Sequence, residues 1–573
     1  MTKQDEFRAA LATIRGPLLA AAGFSCAVNL LMLTGPLFML QVYDRVLASG
    51  SEATLLALVI LIAVLFTAMG LLDFIRGRLL ARAGARLQTR LDPRVFASVL
   101  KQATAPGERA KPNAALRDLE AIQQFLSGPG PFAFLDAPWI PVYLAAIFVL
   151  HPTLGGFAVV AALGVLGIAM VSAQRTGGLE TRARGAAAAG DKRADAFRRE
   201  AETLHALGMV PRALTQWQGE RHAALGAQIA HSDRTGGYQA LTRTLRMFLQ
   251  SAVLALGAWL TIRGETTAGA MIAASILMGR ALAPVDQMVA HWKGFGRARM
   301  AQIKLGAFLE ANPLPRPALD LPAATGLLTV QGLAAAAPGV RAPTLLGITL
   351  DVKPGEALGV IGESASGKST LARVLAGIWP PMAGDVRLDG AALDQWPAEA
   401  LGAQIGYLPQ DIGLFAGSVA DNIARLDGGA DADAITLAAK RAGAHEMILA
   451  LPDGYQTDIG EGGTALSGGQ RQRIGLARAL YGDPAVLILD EPNAHLDAQG
   501  EAAVIAAIRG AKGRGRSVVV MAHRPSAIAL CDRLLVLKGG KPVDCGPRDQ
   551  VLHRTTENAP QTAPQTERRR NRA

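Results

Sequence analysis

Three cysteines in 573 residues, Cys26, Cys531 and Cys545, are too few and too scattered for a disulfide framework or a zinc site, and read as small apolar residues. Charge is also scarce: 18% of the chain is Asp, Glu, Lys or Arg against 50% hydrophobic, and the mean hydropathy is +0.24. That excludes an ordinary soluble enzyme, a disordered chain and a collagen-like repeat. What charge there is leans basic, 58 Lys+Arg against 47 Asp+Glu, for a net +11. Such a surplus suits either nucleic-acid binding or basic residues retained on one side of membrane spans, and their positions decide between the two.

No charged residue occurs from Gly16 to Tyr43, and a second clean run extends from Ala53 to Leu72. Each is long enough to cross a bilayer, which needs roughly 20 residues of helix. A cleavable signal peptide is the rival for the first run, but its apolar part is too long and no convincing small-residue cleavage site follows. Between Ala121 and Gln174 the one charge is Asp136, and His151-Pro152 divides the stretch into two spans. Asp136 then lies at the inner mouth. A last, shorter pair gives six spans near 16–40, 53–72, 132–150, 154–173, 247–262 and 266–284. Arg280 reads as an interfacial anchor or, alternatively, as a residue facing substrate.

The segment Arg76 to Lys111 holds nine basic residues (Arg76, Arg78, Arg82, Arg86, Arg90, Arg94, Lys101, Arg109, Lys111) against Asp92 and Glu108. The alternate connections, Asp44 to Glu52, His151 to Thr153 and Arg263 to Thr267, carry one Arg, none and one Arg. The basic loop stays in the cytoplasm, so both termini do too, and nucleic-acid binding is disfavoured. Arg78 to Arg94 recur every four residues, a stripe that suits solvent or headgroups, or an acidic polypeptide in transit. Long helical extensions carry the spans below the membrane. Pro313, Pro315, Pro317 and Pro322 then mark a linker at 311–324. Domains follow: a membrane domain at 1–310, a soluble α/β domain at 325–554, and a basic disordered tail at 555–573.

The soluble half carries Gly362-Glu363-Ser364-Ala365-Ser366-Gly367-Lys368-Ser369-Thr370 between the strand-like ALGVI and a helical run. This is a P-loop in its expected setting. Backbone N–H groups and the helix start cradle phosphate, Lys368 reaches the terminal phosphates, and Ser369 binds Mg²⁺. Val486-Leu-Ile-Leu-Asp490 is an apolar run ending in a carboxylate, which would often be an ordinary strand end. Behind a P-loop, Asp490 becomes a magnesium ligand and Glu491 a base for attacking water.

Leu466-Ser467-Gly468-Gly469-Gln470 resembles the signature of ABC ATPases, and the other motifs come in that family's order. Gln410 in YLPQD resembles the Q-loop, Asn493-Ala-His-Leu-Asp497 the D-loop, and His523 in MAHRP the switch histidine. The resemblance implies an ATP- and Mg²⁺-dependent ATPase working as a head-to-tail dimer, in which Ser467 and Gly469, with their neighbours Gly468 and Gln470, cap the nucleotide of the other subunit. It implies that Gln410 senses magnesium, that Asp497 crosses the dimer interface, and that catalysis rests on Glu491, His523 and Lys368. One departure concerns the base: where the family stacks adenine on a ring, this chain reads Leu333-Ala-Ala-Ala-Ala337-Pro338.

A six-helix membrane domain followed by the ATPase is similar to the exporter layout, and Thr457 to Gly463 resembles an exporter-specific loop. The segments TGPLFMLQVYDRVL (Thr34 to Leu47), FLSGPGPFAFLDAPWIPVYL (Phe125 to Leu144) and ESASGKSTLARVLAGIWPP (Glu363 to Pro381) resemble bacterial type I secretion transporters. No peptidase-like domain precedes the first span, so leader cleavage is not expected. The resemblance implies a homodimer in the inner membrane, in contact with lipid, a periplasmic membrane-fusion adaptor, a TolC-like outer-membrane channel and an unfolded secreted protein bearing a C-terminal signal, without nucleic acid. An exporter of lipids or small amphiphiles has the same architecture and is the alternative.

Overall fold

The computed structural model describes residues 5–104, 114–313, 321–337, 339–340, 342–494, 496–522 and 524–557. His523, Pro315 and Pro317 of the linker, and the tail from residue 558 lie outside the described residues. Contacts divide the chain into two compact units, Met1–Val99 with Asn113–Pro313, and Leu100–Pro112 with Leu314–Ala573.

The first unit is helical: α1 (Phe7–Ser49), α2 (Glu52–Ala103), α3 (Ala114–Ser127), α4 (Gly130–Leu150), α5 (Pro152–Arg199), α6 (Val210–Ile262) and α7 (Ala268–Ala311). All except α3 are long and apolar enough to cross a membrane. Five of them run past 40 residues, which at about 1.5 Å per residue reaches well beyond a bilayer. In α2 the first buried residue is Arg76; the apolar turns before it present their side chains outward, as suits lipid. The short connections gather at one end. There Asp44 accepts hydrogen bonds from Thr267 Oγ1 (2.6 Å) and the Gly269 amide (2.8 Å), and His151 Nε2 stands 3.7 Å from Glu265.

Elsewhere in the bundle Arg76 enters a buried polar knot. Its Nη1 donates to Asp136 Oδ1 at 2.8 Å and to Ser25 Oγ at 3.0 Å, and its guanidinium lies 4.4 Å above the Phe132 ring. Asn29 Nδ2 donates to the same Asp136 oxygen (2.7 Å), Ser25 also donates to it, and Tyr143 OH closes the group on Asn29 Oδ1 (2.8 Å). Three spans, α1, α2 and α4, meet on one carboxylate. Asp286 is paired as well, to Arg246 of α6 at 2.5 Å, while Arg280 is exposed.

The second unit contains two sheets. One is antiparallel, ordered β2-β1-β4-β5, from β1 (Leu328–Ala335), β2 (Leu345–Val352), β4 (Ala383–Leu388) and β5 (Ala391–Ala392). The other is ordered β10-β9-β3-β8-β7-β6, from β3 (Ala357–Gly362), β6 (Ile405–Leu408), β7 (Val486–Asp490), β8 (Ser517–Met521), β9 (Arg533–Lys538) and β10 (Lys541–Pro547). It is parallel apart from the antiparallel edge strand β10. The adjacent strands β7 and β8 are buried at every position, as expected for strands covered on both faces. Register aligns the site: Val360 of β3 and Asp490 of β7 both pair with Met521 of β8. The P-loop, the Asp490-Glu491 pair and the segment leading to residue 523 therefore leave the same edge, the carboxyl ends where open α/β sheets bind ligands.

Candidate nucleotide site

β3 ends in Gly362, and α8 (Lys368–Leu375) begins after the glycine-rich turn. A Cβ on Gly362 would lie 2.3 Å from the Leu537 carbonyl oxygen and 2.7 Å from Ser366 Oγ, so no side chain fits. Gly367 sits at φ +100° and a Cβ there would meet Leu345 at 2.5 Å. Close backbone approach and a left-handed turn are what these glycines provide. Lys368 is buried and its Nζ donates to the carbonyls of Gly362 and Glu363, each at 2.9 Å, folded back along the loop it must serve. Burial pulls its pKa below the usual lysine value, opposed by the charges of Glu491 and Asp490.

Asp490 is 1% exposed, and its Oδ1 accepts from Ser369 Oγ at 3.2 Å. Burial raises its carboxyl above the ordinary range; the Ser369 bond works against this and the neighbouring Glu491 adds to it. Two buried polar atoms here have no partner among the described residues, Asp490 Oδ2 and Ser366 Oγ. Buried polar groups are nearly always satisfied, so an unpaired carboxylate oxygen beside a serine hydroxyl fits a cation, and an unpaired hydroxyl in a glycine-rich turn fits a phosphate oxygen. Ser364 and Ala365 are exposed on the turn, Ala365 at φ +63°, and Thr370 is half-buried in the first turn of α8.

Glu491 adopts φ +50°, which costs about 1–2 kcal/mol for a residue with a Cβ. Its amide donates to the Met521 carbonyl (3.0 Å), and Gln410 Nε2 donates to its Oε2 at 3.1 Å. The structure thus joins Lys368, Ser369, Asp490, Glu491 and Gln410 in one cluster. Ser467 and Asp497 are placed differently. Ser467 caps α9 (Gly468–Leu480) in a reciprocal pair with Gln470, at 3.3 and 2.8 Å. Asp497 caps α10 (Ala498–Gly513) through the Gly500 amide at 2.7 Å. Both hold helix starts within their own chain, and no described hydrogen bond ties them to the P-loop. In the stretch facing the adenine question, Ala335 and Ala336 are buried and Ala337 half-buried; Pro338 lies outside the described residues.

The profile described as ABC transporter matches residues 345–494, and the one described as ABC transporter transmembrane region matches 18–284. The type I secretion system ATP-binding protein PrsD of Rhizobium meliloti is 45% identical over 95% of this chain and 94% of its own. The chain belongs to the type I secretion ABC transporters. The cyclolysin secretion/processing ATP-binding protein CyaB of Bordetella pertussis is 32% identical, covering 92% of this transporter and 75% of the relative. The alpha-hemolysin translocation ATP-binding protein HlyB of Escherichia coli is 29% identical with the same coverages. A solved bacterial Atm1-family ABC exporter with ATP bound superimposes with TM-score 0.80 at 21% identity, over 95% of this chain and 97% of that one, which shows the exporter fold. The transporter is a multi-pass inner-membrane protein that binds ATP and couples its hydrolysis to export.

Two residues of the transporter's site were not singled out from sequence. Tyr407 of β6 is half-buried; burial and then the Asp490 carboxylate raise its phenol pKa, and Arg373 hydrogen-bonds it. Gln472 is 3% exposed in α9, with Nε2 2.9 Å from the Pro492 carbonyl oxygen. A buried tyrosine and a polar residue inside an apolar helix face carry no local signal that separates them from core.

Proposed function

We propose that the chain exports a polypeptide as a homodimer, with the ATPase units cytoplasmic, and that its hydrolytic chemistry is carried by the residues gathered at the carboxyl edge of the parallel sheet. The observation that supports this reading most is the presence at one sheet edge of two orphaned buried atoms, Ser366 Oγ and Asp490 Oδ2, with Lys368 Nζ folded onto the Gly362 and Glu363 carbonyls.

ATP draws Lys368 from the Gly362 and Glu363 carbonyls to its terminal phosphates, and the loop amides with the Ser366 hydroxyl take the remaining phosphate oxygens. Ser369 and Asp490 would hold Mg²⁺, with Gln410 beside them; bound there, the ion neutralises charge on the β- and γ-phosphates. Glu491, with Gln410 restraining one of its oxygens, orients water for in-line attack and accepts its proton. His523 contacts the γ-phosphate. Ser467 and Gly469 of the partner subunit cap the nucleotide with a hydroxyl and an amide at a helix start, and Asp497 reaches across the same interface. Closure on two nucleotides then switches the membrane bundle from inward to outward access. A membrane-fusion adaptor and a TolC-like channel complete the path, and the cargo is an unfolded protein with a C-terminal signal.

Glu491→Gln tests the chemistry. ATP binding is retained while turnover falls by on the order of 10² to 10⁴-fold; near-normal hydrolysis places the base elsewhere. Deletion of the gene, followed by mass spectrometry of the medium, tests the cargo: loss of one or a few secreted proteins is expected, and an unchanged secretome with altered lipid efflux rejects polypeptide export.

A further inference from the structure

The carboxylate read as the base sits on a turn that is held partly from outside itself. Glu491 is left-handed at φ +50°, a conformation a residue with a Cβ leaves when nothing restrains it. The next residue is Pro492, which has no N–H to offer the turn. Its carbonyl is buried and needs a donor. Within the described turn the backbone restraints are the Glu491 amide to Met521 (3.0 Å) and the Ala494 amide to the Glu491 carbonyl (3.1 Å). The first fixes the strand end and the second the turn's far side. Between them the Pro492 peptide is held by a side chain from a different element, Gln472 Nε2 at 2.9 Å.

Gln472 is itself 3% exposed, in a helix whose Ile474, Gly475 and Leu476 are buried as well. It is two residues beyond Gln470, whose side chain completes the cap of that helix. A glutamine with three rotatable bonds is an expensive group to bury and order for the sake of one carbonyl, unless the position of that carbonyl matters.

We infer that Gln472 is a positioning residue for hydrolysis: by fixing the Pro492 peptide it sets where the Glu491 carboxylate stands relative to the γ-phosphate, and ties that placement to the helix that begins at the signature. This rests on the reading of Glu491 as the base. Gln472 touches no substrate in this role; it acts through the turn. A displacement of about 1 Å at a reacting group costs on the order of 10²-fold in rate.

The test uses the full-length transporter in nanodiscs with MgATP, and compares Q472M, Q472E and E491Q. Q472M keeps the length of the side chain and removes the donor. Its kcat falls roughly 10- to 100-fold, with KM for ATP and affinity for a non-hydrolysable ATP analogue within about twofold of wild type. A glutamine that merely satisfied a buried carbonyl would lower thermal stability and leave kcat per folded molecule intact. Q472E reads the donor directly. Its carboxyl is acceptor-only when ionised and gains an O–H when protonated, and burial brings that protonation toward neutral pH. The ratio of Q472E to wild-type turnover therefore rises as pH falls from 8 to 6, while the Q472M ratio stays flat. If Q472M does not fold, the slope of the Q472E ratio decides. Wild-type kcat in Q472M, or a flat Q472E ratio, beside an inactive E491Q overturns the positioning role alone. An active E491Q overturns the assignment of the base beneath it.

Discussion

A single buried carboxylate shows how much of this protein depends on pairs that no stretch of sequence displays. Asp136 takes hydrogen bonds from Arg76, Asn29 and Ser25, residues 60, 107 and 111 positions away. Arg76 is 4% exposed and its second carboxylate partner, Asp73 at 2.7 Å from Nη2, is 56% exposed at its side chain, so removing Asp136 leaves the inward-facing Nη1 buried without its charge partner. Asp136→Ala therefore destabilises the folded transporter by about 3–5 kcal/mol, whereas the apolar double variant Arg76→Met with Asp136→Leu regains most of that, because a buried pair exchanged whole for well-packed apolar groups is often neutral. Thermal unfolding in nanodiscs checks both, and a double variant as unstable as the single one rejects the explanation. The positive-inside count placed Arg76 among the loop cations and Asp136 at an inner mouth. Both placements concern sidedness, and neither could reveal that the two meet, since period and composition report a helix's neighbours in sequence and not its neighbours in space.

At the scale of elements, legibility follows contiguity. The strand-loop-helix of the P-loop is one unbroken run in which β3, the glycine-rich turn and α8 are each dictated by adjacent residues, so its elements are legible in the sequence. The antiparallel sheet is not legible in that way: β1, β2 and β4 are joined across intervening segments and β4 is exposed at half its positions, so an alternation of short strands and helices gives a soluble α/β domain without dividing its strands between two sheets. Caps lie between these extremes. Asp497 was read from the family pattern as an interface residue, and the structure adds that it holds the start of α10. The two roles separate experimentally. Asp497→Ala removes the cap and costs about 1 kcal/mol, which in a domain of this size lowers Tm by about 2–4 °C. Asp497→Ser keeps a capping oxygen and restores the melting temperature. If the carboxylate also works across the dimer, both variants lose ATPase activity to a similar extent; full activity in the serine variant would confine Asp497 to its helix.

For the whole molecule the deciding quantity is the sidedness of charge. The nine basic residues between Arg76 and Lys111 and the nearly neutral short connections are physically opposed, because basic loops resist translocation while short uncharged ones cross. The fold agrees in one respect the count could not supply: Asp44 accepts a hydrogen bond from Thr267 and His151 Nε2 lies 3.7 Å from Glu265, so the three short connections share one end of the bundle. That end should face the periplasm. In a background with Cys26, Cys531 and Cys545 replaced, a cysteine at Glu265, beside the His151 contact and 46% exposed at its side chain, reacts with a membrane-impermeant maleimide in spheroplasts, and one at Lys541 in the ATPase unit reacts only after lysis. The reverse pattern would put nucleotide hydrolysis outside the cell, where ATP is scarce, and would remove the physical basis for coupling it to outward transport. Labelling of both positions in unbroken spheroplasts would mean that the short connections do not mark a single membrane face, and the six-span reading of the basic residues would fail with it.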